Sequence, residues 1–283
     1  MPTVSRWLNP PGGDVCIMGV LNCTPDSFSD GGRYSDLETA LQHARVMIDA
    51  GADIIDVGGE STRPGSSPVS LQDEIERVIP VVETLAGEGF SVSIDTSKSE
   101  VMRLALEAGA VMANDVTALR GDDRALQVVA ESGADVCLMH MLGEPRCMQD
   151  DPYYEDVVAE VEAFFQQRVE LCLRAGIRAS SIVLDPGIGF GKRQQDNLDL
   201  IAALPRFKKL GFPLLLGVSR KSFLGRITSA PTQDREFETA AAVTACVLGG
   251  ADILRVHDVP AQARAIGVAS AIRQSLQSGQ IIP

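Results

Sequence analysis

No stretch of this chain approaches the ~18 consecutive apolar residues that a membrane span requires. Its opening, MPTVSRWLNPPGGDV, lacks the apolar centre of a secretory leader. The two absences together lead us to expect a cytoplasmic protein. There is no C-x-x-C pair either. The cysteines, Cys16, Cys23, Cys137, Cys147, Cys172 and Cys246, are scattered and several sit in apolar runs, which suits buried free thiols better than a zinc site or disulfides. Positive charge is scarce: 25 Lys and Arg stand against 38 Asp and Glu, a net charge of -13. Nucleic-acid affinity rests on cations that neutralise phosphates, so that class of partner is disfavoured. A small anionic substrate is still compatible, because it needs only local basic residues. Also missing are linkers, low-complexity segments and a G-x-G-x-x-G after an early strand.

What is there is an alternation. Short apolar runs occur at Val15–Leu21, Ile54–Val57, Val92–Ile94, Val111–Ala113, Val136–Met139, Ile182–Leu184, Leu214–Val218 and Ile253–Val256. They are apolar throughout, as expected of parallel strands buried on both faces. Helical patterns fill the gaps. Leu37–Ala50 puts Leu37, Ala40, Leu41, Ala44, Met47 and Ile48 on one face. Ser70–Leu85 opens with a helix-start signature, Ser70-x-x-Asp73. Further helices are predicted over Glu100–Glu107, Asp123–Glu131, Asp156–Ala175, Asn197–Leu210, Asp234–Leu248 and Ala261–Leu276. Gly51, Gly109, Gly133 and Gly250 stand just past helix ends, where a left-handed cap is wanted. Eight βα units with no divider predict a single-domain (β/α)8 TIM barrel over residues 14–283, after an extension at 1–13. The rival, an open doubly wound sheet, would carry the missing glycine fingerprint.

In such barrels the active site lies at the C-terminal ends of the strands. The residues just beyond the apolar runs are Asn22, Gly58 to Gly65, Asp95 to Lys98, Asn114-Asp115, His140, Asp185 to Lys192, Ser219 to Ser222, and Arg255 with His257-Asp258. Charges so close to the core are expensive unless paired or used. Ion pairs that merely hold the barrel top together are the plain alternative. The composition of the rim points to a ligand with two unlike ends. Asp95, Asn114 and Asp185 suit a flat heterocycle with N–H donors, since a carboxylate can take two of them side by side. Asn22, Arg63, Arg255 and His257 suit a polyanion, and the amides opening the last helix are expected to add to that anion site. Lys221 could serve either end. Some of these residues have plainer readings: His257 could simply cap the last helix, and His140 is expected to be a packed, hydrogen-bonded rim histidine. Asp53 and Asp56 flank the second strand; one is expected to face the barrel and the other the helix layer. Phe190, inside Gly187-x-Gly189-x-Gly191, has no core to fill and is a candidate to stack on a ligand.

Seven motifs, each at a strand end and in order, carry a resemblance over Val15 to Val268. They are Gly19-Val-Leu-Asn-Cys-Thr-Pro-Asp-Ser-Phe-Ser-Asp-Gly-Gly32, Asp56-Val-Gly-Gly-Glu-Ser-Thr-Arg-Pro-Gly65, Ser93-Ile-Asp-Thr-Ser-Lys98, Asn114-Asp115, Leu184-Asp-Pro-Gly-Ile-Gly-Phe-Gly-Lys192, Ser219-Arg-Lys-Ser222 and Arg255-Val-His-Asp258. The chain resembles the dihydropteroate synthase family of pterin-binding barrels. That resemblance implies a transferase of folate biosynthesis. It would join (7,8-dihydropterin-6-yl)methyl diphosphate to p-aminobenzoate by an SN1-like path, giving 7,8-dihydropteroate and diphosphate. It implies that Asp95, Asn114, Asp185 and Lys221 hold the pterin. Asn22, Thr62, Arg63, Arg255 and His257 would meet the diphosphate, with Asn22 also a ligand of Mg2+. Phe28, Pro64, Phe190 and Ser222 would surround p-aminobenzoate. Asp95, Arg63 and Lys221 are the expected catalytic residues. No nucleic-acid or membrane partner is expected, and a homodimer is. Cys23 stands where the family usually has Val, and Thr117-Ala118 departs from its commoner sequence; neither is a residue given a role above. The rival within the fold is a pterin-binding methyltransferase barrel that passes a methyl group from methyltetrahydrofolate to a corrinoid protein. Ser61-Thr-Arg-Pro-Gly65 and Ser219-Arg-Lys-Ser222 argue against it. Finally, Thr24 to Tyr34 is too long for a turn and too polar for a core. With Phe28 and Gly31-Gly32 it reads as a lid that orders only when diphosphate is bound, and with Ser61–Pro68 it would shape the p-aminobenzoate site.

Overall fold

The structure is a computed structural model describing residues 15–24, 33–61, 67–144 and 147–278. The order of elements is β1 (Cys16–Asn22), α1 (Arg33–Asp49), β2 (Ile54–Gly58), α2 (Leu71–Gly87), β3 (Val92–Asp95), α3 (Ser99–Glu107), β4 (Met112–Asp115), α4 (Ala125–Ser132), β5 (Asp135–Met139), α5 (Val157–Arg174), β6 (Ile182–Asp185), α6 (Gln194–Ala202), α7 (Leu204–Phe207), β7 (Leu215–Leu216), α8 (Ser222–Thr228), α9 (Glu236–Gly249), β8 (Ile253–Val256) and α10 (Val259–Gln277). The strands pair in parallel in the order β6-β5-β4-β3-β2-β1-β8-β7. A single bridge between Leu184 and Leu214 joins the two ends, so the sheet closes on itself as the (β/α)8 barrel expected from the alternation. The N-terminal extension lies outside the described residues.

Two apolar compartments follow from closure. The larger packs the outer faces of the strands against the helices, with Leu85, Phe165 and Phe207 fully buried. The smaller fills the barrel itself with Cys16, Met18, Ile54, Met112, Cys137, Val183, Leu215 and Ile253. That inner set matters for what stands above it. Side chains along a strand alternate between faces, so the residues two or four further on also face inward. Those residues are Asn22, Asp56, Asn114, Met139, Asp185, Gly217, Arg255 and His257. The polar site is the top layer of the same stack.

Several expectations shift at their edges. Helix α1 begins at Arg33, so Arg33 and Tyr34 belong to it and not to the preceding loop. The apolar periodicity of the sequence begins only at Leu37. The single helix expected over Asn197–Leu210 is instead α6, α7 and a 3-10 turn at residues 208–210. Pro205 accounts for the break, since it tolerates only a helix's first turn. Helix α8 went unrecognised in the sequence. The Ser70 cap is as expected: its side chain accepts the Asp73 amide at 3.1 Å.

Candidate active site

Parallel register builds one row of the rim. Asn22 pairs with Gly58, Gly58 with Asp95, and Asp95 with Asn114. Asp185 ends β6 opposite Met139 of β5. A cavity opens above, lined by Asp95, Asn114, Asp185, Phe190, Lys221, Arg255 and His257 together with Met139, Ile188 and Gly217. Seven residues singled out in the sequence thus come together. Asn22 stands beside them at the end of β1, half-buried, and Ser222 is exposed and does not line the cavity. Phe28, Thr62, Arg63 and Pro64 lie outside the described residues, as do residues 25–32 of the segment read as a lid.

The floor is an ionic lattice. Arg255 donates through Nε to Asp56 Oδ2 at 2.6 Å and through Nη2 to Asp95 Oδ2 at 2.6 Å. The Asn114 amide donates to the same Asp56 oxygen at 2.9 Å. Asp56 is therefore the aspartate that faces the barrel. Asp53 accepts the Ile17 amide at 2.8 Å at the opposite end of the strand. Asp56 is a site residue left unassigned in the sequence, because only the structure shows that Ile54, two residues earlier, points into the barrel. Its Oδ1 is buried with no hydrogen-bond partner among the described residues. Burial disfavours the Arg255 charge, but Asp56 and Asp95 outweigh it and hold the guanidinium above its usual pKa. Burial also raises Asp95, against the pull of Arg255.

Asp185 and Lys221 form the other wall. Asp185 is pushed up to about 6 by burial, opposed by the Gly187 amide, which donates to its Oδ1 at 2.7 Å. Asp185 also lines the cavity. Lys221 is pulled down to about 8 by burial and the nearby Arg255 charge. Its ammonium lies 4.0 Å from the centre of the Phe190 ring, a cation–π contact that fixes the aromatic over the cavity. The Phe190 loop is held by its carbonyls. Gln149 donates to Gly189 O at 2.7 Å, Lys192 to Phe190 O at 3.0 Å and Tyr154 to Gly191 O at 2.8 Å. Gly187 has φ +68°, and a Cβ there would stand 2.0 Å from the His140 carbonyl oxygen, so the turn admits only glycine. His140 is the packed rim histidine expected, edge-on to Phe164 at 4.9 Å and 3.0 Å from the buried Lys192 ammonium. Burial and that ammonium push it down to about 2, so it is a neutral acceptor.

One expectation changes. Asp258 caps α10 by accepting the Ala261 amide at 3.0 Å, so this carboxylate takes an amide that was assigned to an anion. Asp115 is used by its own loop, accepting from the Thr117 amide at 2.8 Å and the Leu119 amide at 2.7 Å. His257 is 3.1 Å from Ser219 Oγ through Nδ1. Cys23 is buried and pushed up to about 12, the state of a packing thiol.

Residues 18–257 match the family model described as pterin binding enzyme. Dihydropteroate synthase of Escherichia coli K12 is 48% identical over 257 residues, covering 90% of this chain and 90% of that protein. The crystal structure of the Yersinia pestis dihydropteroate synthase with a sulfonamide drug complex superposes with a TM-score of 0.89 at 44% identity, covering 97% of this chain and all of the other. The Burkholderia cenocepacia dihydropteroate synthase complexed with 7,8-dihydropteroate gives 0.84 at 43% identity, covering 93% of each chain.

Proposed function

The chain belongs to the pterin-binding enzyme family, and on that premise we infer how the residues of its rim share out the work of a dihydropteroate synthase. The enzyme is a transferase of folate biosynthesis that joins a dihydropterinylmethyl group to p-aminobenzoate. The methyltransferase alternative is not favoured. One observation carries the assignment of roles: the acceptors Asp95, Asn114 and Asp185 stand on three strands around one cavity that also holds Lys221 and Phe190.

The pterin enters this cavity with its amino and ring N–H groups toward the free oxygen of Asp185 and toward Asn114. Lys221 covers the ring, and Arg255, gripped by Asp56 and Asp95, backs it from below. The diphosphate then projects toward Asn22, Thr62, Arg63 and His257. The methylene C–O bond breaks and the electron pair leaves with the diphosphate. The electron-rich pterin spreads the positive charge, and the Asp95 carboxylate stabilises it. The neutral amine of p-aminobenzoate forms the new C–N bond and sheds a proton. No strong base is needed, which fits a rim whose one histidine beside a lysine is kept neutral. Phe190, Phe28, Pro64 and Ser222 surround the p-aminobenzoate ring.

Among the described residues no group of three or more His, Cys, Asp or Glu could hold a metal. The half-buried Asn22 offers one hard carboxamide oxygen at the rim. That donor set fits Mg2+, which commonly takes one or two protein ligands and completes its shell with substrate phosphates and water. Asn22 would hold the ion, whose bound charge offsets that of a departing diphosphate. Free thiols at all six cysteines suit a reducing cytoplasm. Val268, Ile272 and Leu276 form an exposed apolar stripe on α10, the support for a homodimer.

Diphosphate release from the dihydropterin diphosphate should require Mg2+, and its conversion to 7,8-dihydropteroate should require p-aminobenzoate as well. Methyl transfer from methyltetrahydrofolate in its place would sink this reading. The pH dependence follows from the two walls. Protonation removes the Asp185 charge and turns one of its two acceptor oxygens into a donor, so kcat/KM should fall as pH drops below about 6. Lys221 loses its charge as pH rises past about 8, so kcat/KM should fall there too. A profile flat through the acid limb would remove Asp185 from the pterin site.

A further inference from the structure

Three residues past Asp95, Lys98 places its ammonium between two carboxylates, Glu60 Oε2 and Glu74 Oε2. Glu74, in the first turn of α2, is fully buried, and its other oxygen accepts from Thr96 Oγ1 at 2.6 Å. Glu60 is the second residue past β2, and its Oε1 accepts the amide of Val69 at 3.3 Å. Val69 immediately precedes the Ser70 cap of α2. One glutamate side chain therefore bonds across the connection from β2 to α2, from its first residues to its last. The near end has no slack. A Cβ on Gly59 would stand 2.8 Å from Val78 Cγ1 and 2.9 Å from Glu74 Cγ, and the Gly59 carbonyl accepts from Arg77 at 3.0 Å.

Such a cluster is poorly suited to stability alone. Desolvating two carboxylates and an ammonium offsets most of what their attraction contributes, and a packed apolar contact would serve a simple turn better. What charged, directional bonds supply is position. The connection they close contains Thr62 and Arg63, and the same cluster reaches Thr96, next to Asp95.

We propose that Glu60 and Lys98 are positioning residues for the reaction, tying both stems of the 61–68 connection to the turn after β3 so that Thr62 and Arg63 meet the diphosphate. This rests on the reading above that those two residues contact the leaving group. Misplacement of a reacting group by about 1 Å can cost on the order of a hundredfold in rate, so partial loosening should cost about tenfold.

The test uses the full chain and the variants Glu60→Gln, Lys98→Met, Lys98→Arg and the Glu60→Gln/Lys98→Met double. Each is measured for kcat, for KM of both substrates, for thermal midpoint, and for Kd of 6-hydroxymethyl-7,8-dihydropterin, which lacks the diphosphate. Glu60→Gln should lower kcat about tenfold and raise the KM of p-aminobenzoate, with the Kd of the diphosphate-free pterin unchanged. Lys98→Arg should restore most of what Lys98→Met loses. The double variant should be no worse than the worse single, because the two residues act as one unit. If Lys98→Met does not fold, Glu60→Gln and Lys98→Arg still decide the matter. A fall in thermal midpoint with wild-type kcat and KM in Glu60→Gln would overturn the proposal. So would a weakened Kd for the diphosphate-free pterin that accounts for the whole loss. Arg63→Ala run alongside separates the two levels. Wild-type turnover in Arg63→Ala defeats the diphosphate reading itself, whereas an impaired Arg63→Ala beside a normal Glu60→Gln defeats only the positioning role.

Discussion

Arg63→Ala is expected to lower kcat about a hundredfold while leaving the Kd of the dihydropterin diphosphate within a few-fold of wild type. The reason lies in where charge builds up. In the ground state the diphosphate already carries its formal charge, shared with solvent and cation. As the methylene C–O bond stretches, a further electron pair moves onto the departing oxygen. A guanidinium aimed at that oxygen gains most in the transition state, and only such differential binding accelerates the step. Removing one preorganised donor of this kind costs about 2.7–4 kcal/mol in comparable sites. Arg63 lies outside the described residues, but Glu60, three positions earlier, is held in place by Lys98. Steady-state kinetics paired with equilibrium binding checks the claim. If affinity falls and kcat does not, Arg63 contributes uniform binding and the leaving group is stabilised elsewhere.

Asp185→Asn should weaken pterin binding by about 1.5–3 kcal/mol, roughly tenfold to a hundredfold. The geometry says why so conservative a change should be felt. Asp185 Oδ1 already accepts the Gly187 amide at 2.7 Å, which leaves Oδ2 as the acceptor facing the ligand. An asparagine must keep its one oxygen toward Gly187, because that amide is buried and needs a partner. Its NH2 group then points at the ligand's own donors. The substitution also removes the negative charge that supports the Lys221 ammonium. Calorimetric titration with the pterin measures the effect, and the acid limb of the pH profile should change in the same variant, leaving Asp95, which burial also raises, as the carboxylate that sets it. Unchanged affinity would mean that the pterin lies elsewhere in the cavity.

Much of this was readable without coordinates, and for a physical reason. Buried parallel strands must be apolar on both faces, and the helices between them must carry one apolar stripe, so the eight repeats are written into local composition. The functional rim is readable for the same reason: polar residues directly after such runs sit where an idle charge would be costly. Asp95, Asn114, Asp185, Lys221, Arg255 and His257 were singled out this way, and Phe190 as an aromatic within a glycine loop, and the structure gathers them around one cavity.

Other features were not local and so were not legible. The strands are apolar on both sides, so nothing in their interiors shows which residues point inward; only the inner stack from Cys16 to Ile253 reveals that Asp56 does. Its partner Arg255 is 199 residues away, brought alongside because β8 pairs with β1 and closes the barrel. The clamp of Glu60 and Lys98 spans 38 residues and depends on α2 presenting Glu74 to the end of β3. Arg255 looked in the sequence like a cation for a polyanion, and in the structure its guanidinium is gripped by two carboxylates in the floor. The sequence by itself determined the repeat, the rim and the chemistry of the donors, because each of these is a property of neighbouring residues. Which donor meets which acceptor was decided only by barrel closure, since strand register and the inward count by two are set between segments far apart in the chain.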